Sequence, residues 1–360
     1  MTKSILGMNR RHPRIVGIGL VSLDVVTSAD TPTEYFAGGT CGNVLAILAH
    51  LGWQSHAISR LAHDRASTIV CSDLEHWGVD VSLLRIAPVA KTPIIVERLR
   101  RDINGIPYHN FSFYCPSCNR RYPGFQPVPI KSLGPVLSRV PKADVLFIDR
   151  VSPSAVALAK RAQEQGTIVF FEPSSANHDN NLRLLLEAAT IVKYSHDRIE
   201  ELDVTKSTVK LEIQTLGRGG LRFRTTLGNL RNRWHHLDAE PKADLVDSAG
   251  AGDWLSAGLI YSLCAGGTSH FSKLKYDELV CGFYLGQSLA AWNCGFVGAR
   301  GGMYGTTLRE LTDLLKSHTV KLHTRMRSNG AETQTSELAQ LCEGCHVLSD
   351  KESLKASTAG

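Results

Sequence analysis

The sequence predicts an α/β protein built on a mostly parallel central sheet, and three patterns carry that reading. From Ala143 onward short apolar runs alternate with amphipathic segments, as parallel strands joined by crossover helices do. Two glycine-rich turns, Gly38-Gly-Thr-Cys-Gly-Asn43 and Asp247-Ser-Ala-Gly-Ala-Gly-Asp253, each open an apolar helix. Between residues 93 and 114 strict alternation replaces helical spacing, which predicts a hairpin standing off the main sheet.

The elements follow in order. Ile15 to Leu23 is a buried first strand; basic residues precede it, but Asp24 follows at once and no small-residue cleavage site marks a secretory leader. Val44, Leu45, Ile47, Leu48 and Leu51 form a helix that Gly52 ends, and a second helix spans Asp64 to Trp77. Pro93 to Leu99 and Tyr108 to Tyr114 are the hairpin strands, turning at Asn104-Gly105. The regular part has strands at Val145–Ile148, Thr167–Phe171, Ile191–Lys193 and Val209–Thr215, with helices over Ser154–Gln165 and Leu182–Ala189. Gly217-Arg-Gly-Gly220 is a turn, and two long apolar helices cover Asp253–Cys264 and Tyr276–Asn293. After Leu322 the chain turns polar, so residues 1–322 are read as the main domain and 323–360 as a tail.

Composition narrows the class. With 360 residues, Lys+Arg 40 against Asp+Glu 34 and 43% hydrophobic content, the chain is neither fibrous nor disordered. Nine cysteines, an odd number, fit a reducing compartment better than a disulfide framework, and the expected location is the cytoplasm. A net charge of +6 suits anionic ligands without demanding nucleic acid, and no apolar run is long enough to span a membrane.

The sharpest chemical signal is Asp247 to Asp253. A glycine turn opening a helix presents unpaired N–H groups and a positive dipole end, which suits a phosphate or a developing anion. Asp253 at the helix start is placed to accept a proton from a hydroxyl beside that phosphate, with the amides of Gly250, Ala251 and Gly252 stabilising charge. The plain alternative is a helix cap. The seven residues resemble the Asp-Thr-x-Gly-Ala-Gly-Asp signature of the ribokinase-like, or PfkB, carbohydrate kinases, with Ser248 in the threonine position. Gly19-Leu-Val-Ser-Leu-Asp24 and Gly38 to Asn43 are similar to that family's sugar-binding elements, in matching order.

The resemblance covers about residues 14 to 310 and implies helices on both faces of the sheet, with a small β lid from segments around 31–42 and 90–125. It implies an ATP-dependent, Mg²⁺-assisted kinase in which Asp253 is the base. Asp24, Gly38, Gly39 and Asn43 would hold the sugar, and Thr215, Gly217, Gly219 and Gly220, with Asp247 and Ser248, would lie on the nucleotide side. Gly298-Ala-Arg-Gly301 falls where family members close the adenine and monovalent-cation region, potassium being the cation expected, and lids in the family can pair into homodimers. A nucleoside is the alternative acceptor, with Tyr35, Phe36, Phe111 and Phe113 as aromatics that would stack on a base. The chain departs from the family where Asn-x-x-Glu is usual: Ser195 and Arg198 stand there, leaving Asp197, Glu200 or Glu172 to organise magnesium.

Cys115-Pro-Ser-Cys118 and Cys342-Glu-Gly-Cys345 are two C-x-x-C pairs that would together hold one tetrahedral zinc, against the alternative of reduced thiols or a redox couple. A basic run from Arg218 to Arg233 is read as a solvated hairpin. The competing reading, a zinc-bearing nucleic-acid-binding protein on a degenerate kinase fold, uses that run and Arg198.

Overall fold

The computed structural model describes residues 12–313 and 316, apart from 28–31, 85–89, 102, 104–106, 177–178, 206, 229, 231 and 241–244. Strand β1 (Arg14–Ile18) lies inside the main sheet and is buried from Ile15 onward. It stops because polar partners draw the next residues out of the ladder. The Gly19 carbonyl accepts from Ser59 Oγ at 2.9 Å, and the Leu20 N–H donates to the Asp149 carboxylate at 2.9 Å. The single strand expected from Ile15 to Leu23 is therefore two strands in two sheets. The second, β2 (Ser22–Thr27), pairs antiparallel with β3 (Glu34–Gly38).

Helix α1 (Thr40–His50) starts on Gly39, whose φ of 80° and position 2.5 Å (at Cβ) from the Leu20 carbonyl admit only glycine. Strand β4 (Gln54–Ile58) lies parallel to β1. Helix α2 (Arg65–His76) is capped by Asp64, which accepts the Ser67 N–H at 2.8 Å, and β5 (Val79–Leu83) ends this edge of the sheet. Strands β6 (Ile94–Arg101) and β7 (Pro107–Ser112) form the predicted hairpin; its turn at 104–105 is outside the described residues. Because β6 also runs parallel to β2, the small sheet is ordered β3-β2-β6-β7. The lid thus takes in β2, and α1 begins at Thr40, inside the stretch 31–42 that the sequence reading gave to the lid.

Next come α3 (Leu133–Arg139), β8 (Val145–Ile148), α4 (Pro153–Glu164), β9 (Ile168–Phe171), α5 (Asn180–Ala188), β10 (Ile191–Ser195) and β11 (Leu211–Thr215). β8 and β9 are buried at every position, as strands covered on both faces must be. Antiparallel β12 (Leu221–Thr225) and β13 (His235–Leu237) finish the far edge. Among the described residues the sheet has nine strands, β13-β12-β11-β10-β9-β8-β1-β4-β5, parallel from β11 to β5. Val136, Leu158 and Leu185 of α3, α4 and α5 pack on one face against Val16, Leu146 and Val169. On the other face Gly17 leaves room for Cys41 and Leu45 of α1.

Helix α6 (Ala251–Leu259) packs against α1 and runs on through a π-helical turn, Ile260–Cys264. The short α7 (Gly267–Phe271) leads to α8 (Tyr276–Asn293), which crosses α6, and α9 (Gly301–Gly305) follows. At the crossing the two backbones nearly touch: a Cβ on Gly258 would stand 2.6 Å from the Gly286 Cα. These elements belong to one compact unit that ends at Thr312.

Candidate active site

Strand order reverses between β1 and β8, and an open parallel sheet has its crevice at such a point, beyond the carboxyl ends of the strands. Two charged residues stand at those ends, Asp149 after β8 and Glu172 after β9, with Lys193 inside the adjoining β10. Burial pushes Asp149 up to about 6, against the pull of the Arg150 guanidinium 2.8 Å away. Lys193 is buried, with Nζ 2.5 Å from Glu172 Oε1 and 3.2 Å from the Gly252 carbonyl, and Glu172 Oε2 accepts from Ser256 Oγ at 2.5 Å. One buried ion pair therefore ties β9 and β10 to the first turns of α6.

The α6 turn closes as its glycines require. Gly250 takes a φ of 71°, a Cβ there would lie 2.1 Å from the Ala299 carbonyl, and no side chain caps the helix. Asp247 points inward: its carboxylate accepts the Ala249 N–H at 3.0 Å and the Gly298 N–H at 2.9 Å, while Ser248 is exposed. Ala251 and Gly252 form the first turn, and Asp253 accepts from the Asn43 amide at 2.7 Å. Two predicted site residues far apart in sequence thus meet. Burial, reinforced by the Glu172 charge, raises the Asp253 carboxyl to about 7; Asn43 and Lys193 hold it back. The other amide atom of Asn43, Oδ1, is buried with no partner among the described residues.

Asp24, Gly38 and Gly39 also come together. Asp24 accepts from Ser22 Oγ at 2.8 Å, and a Cβ at Gly38 would collide with its carboxylate at 1.8 Å. Burial lifts Asp24 to about 6. Beside it, Glu97 is pushed to about 9 by burial and then by the charges of Asp247 and Asp24. Arg300 donates from Nη2 to the Ala37 carbonyl at 2.6 Å and to Asp73 at 2.8 Å, while the Ala37 N–H donates to the same Asp73 oxygen at 2.7 Å. Asp24, Phe36, Glu97, Gly298, Arg300 and Tyr304 line a pocket at this seam between lid and core.

Of the residues expected on the nucleotide side, Asp247 and Ser248 lie in the turn before α6, and the others form a separate limb. Thr215 ends β11 in register with Ser195 of β10, and the exposed turn through Gly217 and Gly219 closes on Gly220, where a Cβ would meet the Leu237 carbonyl at 2.1 Å. Asp197, Arg198 and Glu200 are exposed, so of the three acids considered for magnesium only Glu172 stands in the crevice. It is held by Lys193 and Ser256, and among the described residues no group of three or more His, Cys, Asp or Glu is placed to hold a metal ion. Cys115 and Cys118 sit beyond β7; Cys342 and Cys345 lie outside the described residues. The basic run is engaged internally: Arg222 and Arg224 stack on Trp234 at 4.6 Å and 4.8 Å and bond to Gln214 and Glu212.

Sequence reasoning missed Asp149, Lys193, Glu97 and Arg300. For Asp149 a signal existed, a charge just past the carboxyl end of an all-apolar strand.

A family model for pfkB family carbohydrate kinases matches residues 17–272. The chain belongs to the pfkB carbohydrate kinase family. It is similar to the probable chloroplastic fructokinase-6 of Arabidopsis thaliana, 25% identical over 292 residues that cover 71% of this chain and 72% of that protein. An ATP-dependent ribose-1-phosphate kinase of Halopiger xanaduensis is 26% identical over 270 residues, 69% of this chain and 83% of that one. The fold matches the crystal structure of fructokinase with bound ATP from Xylella fastidiosa with a TM-score of 0.67 at 18% identity, over 86% of this chain and 100% of that chain. The protein is accordingly a carbohydrate kinase, transferring a phosphoryl group from ATP to a hydroxyl of a sugar-like molecule. No helix among the described residues is long and apolar enough to cross a membrane.

Proposed function

We propose that this kinase phosphorylates a primary hydroxyl of a sugar held between Asp24 and Asn43, with Asp253 as the base. The contact between Asn43 and Asp253 at the open end of α6 carries the reading. The acceptor hydroxyl there passes its proton to the Asp253 carboxylate as the bond to phosphorus forms, while a neighbouring sugar hydroxyl donates to the orphaned Asn43 Oδ1. The amides of Gly250 and Gly252 at the open start of α6 would stabilise the charge that develops on the transferring group; the Ala251 N–H, 3.3 Å from the Ser248 carbonyl, would join them by leaving that bond. Lys193 and Glu172 hold the turn in place from beneath. Thr215, Gly217, Gly219 and Gly220 form the shelf for the nucleotide at the neighbouring strand end. Mg²⁺ bound with ATP would offset the charge of the phosphates, and Glu172 is the crevice acid that would help to hold it.

The wider reading is a cytoplasmic enzyme, 1–322 forming the kinase domain, with lids paired in a homodimer and potassium near Asp247 and Gly298. A nucleoside acceptor is the second reading. Phe111 is paired with Glu97, hence on the Asp24 face of the lid; it is 44% exposed and Phe113 45%, so each ring keeps exposed surface on which a base would stack. ADP formation across pentoses, hexoses, polyols and nucleosides separates the two. Asp253→Asn is expected to cut acceptor-dependent turnover roughly 10²- to 10⁴-fold while ATP still binds; turnover within a few-fold of wild type would remove Asp253 from the mechanism.

A further inference from the structure

Two buried polar atoms near Asp24 lack partners, and phosphoryl transfer uses neither. Glu97 of β6 is 1% exposed and Arg300 3%, yet Glu97 Oε1 and Arg300 Nη1 form no hydrogen bond among the described residues. Both residues line the pocket at the seam between lid and core. A donor and a carboxyl oxygen left open in one pocket mark a place for a ligand group, since each is destabilising until it is paired.

Their surroundings hold the two in place. In the parallel pairing of β2 with β6, Asp24 faces Ile95 and Val26 faces Glu97, so alternation puts Asp24 and Glu97 on the same face of the lid sheet. Arg300 is fixed through its other terminal nitrogen: Nη2 donates to the Ala37 carbonyl and to Asp73, and the guanidinium carbon lies 5.6 Å from the centre of the Tyr304 ring. Tyr304 packs in turn on Phe36, with ring centres 4.7 Å apart. Nη1 is the free donor of an otherwise committed guanidinium.

Size and charge then select the group. The pocket has room for about 20 Å³, a single water-sized group, which is too little for a phosphate or an aromatic base. Acids surround it: Asp24 is in its wall, Asp73 binds the guanidinium at 2.8 Å, and Asp247 accepts from the Gly298 N–H at 2.9 Å. One cation among them leaves no surplus positive charge for a carboxylate. A hydroxyl fits, because it accepts from a guanidinium N–H and donates to a carboxyl oxygen at once. Asn43 and Asp253 are not in the pocket wall, so this hydroxyl is not the one that reacts.

We propose that Glu97 and Arg300 recognise a free hydroxyl at the end of the acceptor remote from the one phosphorylated, which makes the substrate an uncharged sugar or polyol. The inference rests on the sugar reading above and sharpens it: sugar acids, sugar phosphates and nucleosides, which carry a charged or bulky group at that end, are rejected.

The test is kcat/KM on matched acceptors: the free sugar that turns over best, the same sugar lacking the remote hydroxyl, and the same sugar with a carboxylate or a phosphate there. In the wild type the free sugar is expected to exceed each of the others by about 10²-fold or more. Glu97→Leu removes the acceptor oxygen without stranding a charge. It should lower kcat/KM for the free sugar by a similar factor, leave the deoxy sugar within about threefold and leave KM for ATP unchanged. Glu97→Gln keeps a carbonyl oxygen and should retain most of the discrimination. An equal loss on the free and deoxy sugars would show that Glu97 only supports the lid. Wild-type kcat/KM for the deoxy, carboxylate or phosphate sugar within a few-fold of the free sugar would show that the pocket recognises no hydroxyl. Either result overturns the proposal and leaves the sugar kinase reading standing, since Asp253→Asn tests that reading on every acceptor alike. Turnover of a nucleoside alone, or of no sugar or polyol at all, would overturn both.

Discussion

Asp253 combines two demands that oppose each other. As the proposed base it must be ionised, yet burial and the Glu172 charge set its carboxyl at about 7. kcat/KM for the acceptor should therefore rise with pH through an apparent pKa of about 7 and level off above it, in a pH–rate profile at saturating ATP. The same shift fixes a stability trend. A carboxyl that titrates near 4 when unfolded and about 7 when folded keeps its proton longer in the native state, so its contribution falls as pH rises across that window. Asp253→Asn should melt above the wild type at pH 8, the gap narrowing toward pH 4, while kcat drops roughly 10²- to 10⁴-fold. Thermal melts at several pH values check the first expectation and turnover the second. The residue pattern made Asp253 legible because glycine turns before helices leave a trace in sequence. Its partner Asn43 was legible only through resemblance, since nothing local links two residues so distant in the chain.

Elements were read well wherever period and punctuation agreed. α2 and α8 fall where the spacing predicted, bounded by Asp64 and Trp77 in one case and starting at Tyr276 in the other. The first strand was misjudged because its apolar run continues through Gly19, and what ends it is a carboxylate from β8's loop, 129 residues away. The Lys193–Glu172 pair escaped for a related reason: a lone charge in an apolar strand has meaning only once the neighbouring strand is known. Lys193→Met should cost about 3 kcal/mol by stranding Glu172, as loss of one partner of a buried pair does. It should also move the apparent pKa of kcat/KM upward, since the ammonium holds Asp253 down; Glu172→Gln should move it downward. Chemical denaturation and pH–rate profiles measure the two effects. Gly258→Ala would force α6 off Gly286, so melting temperature and kcat should fall together in calorimetry and steady-state assays.

Across the whole molecule, Arg300 connects the most distant parts. From the start of α9 it bonds the β3 backbone at Ala37 and the α2 carboxylate of Asp73, which Tyr304 also engages at 2.9 Å. Lid, flanking helix and C-terminal segment share this joint. Arg300→Met should raise KM for the acceptor several-fold and leave KM for ATP unchanged, because the nucleotide limb lies on other strands; equal rises in both would show that the joint does not govern the lid. The meeting of Gly258 and Gly286 has a further consequence. Where two helices touch through bare backbone, their separation is written in the absence of side chains and does not drift as neighbours mutate. The depth of the catalytic helix is then insulated from sequence divergence. A lineage can replace most of its core and still present an aspartate at the same height, so ancestry in such proteins is better traced by where nothing protrudes than by which residues remain.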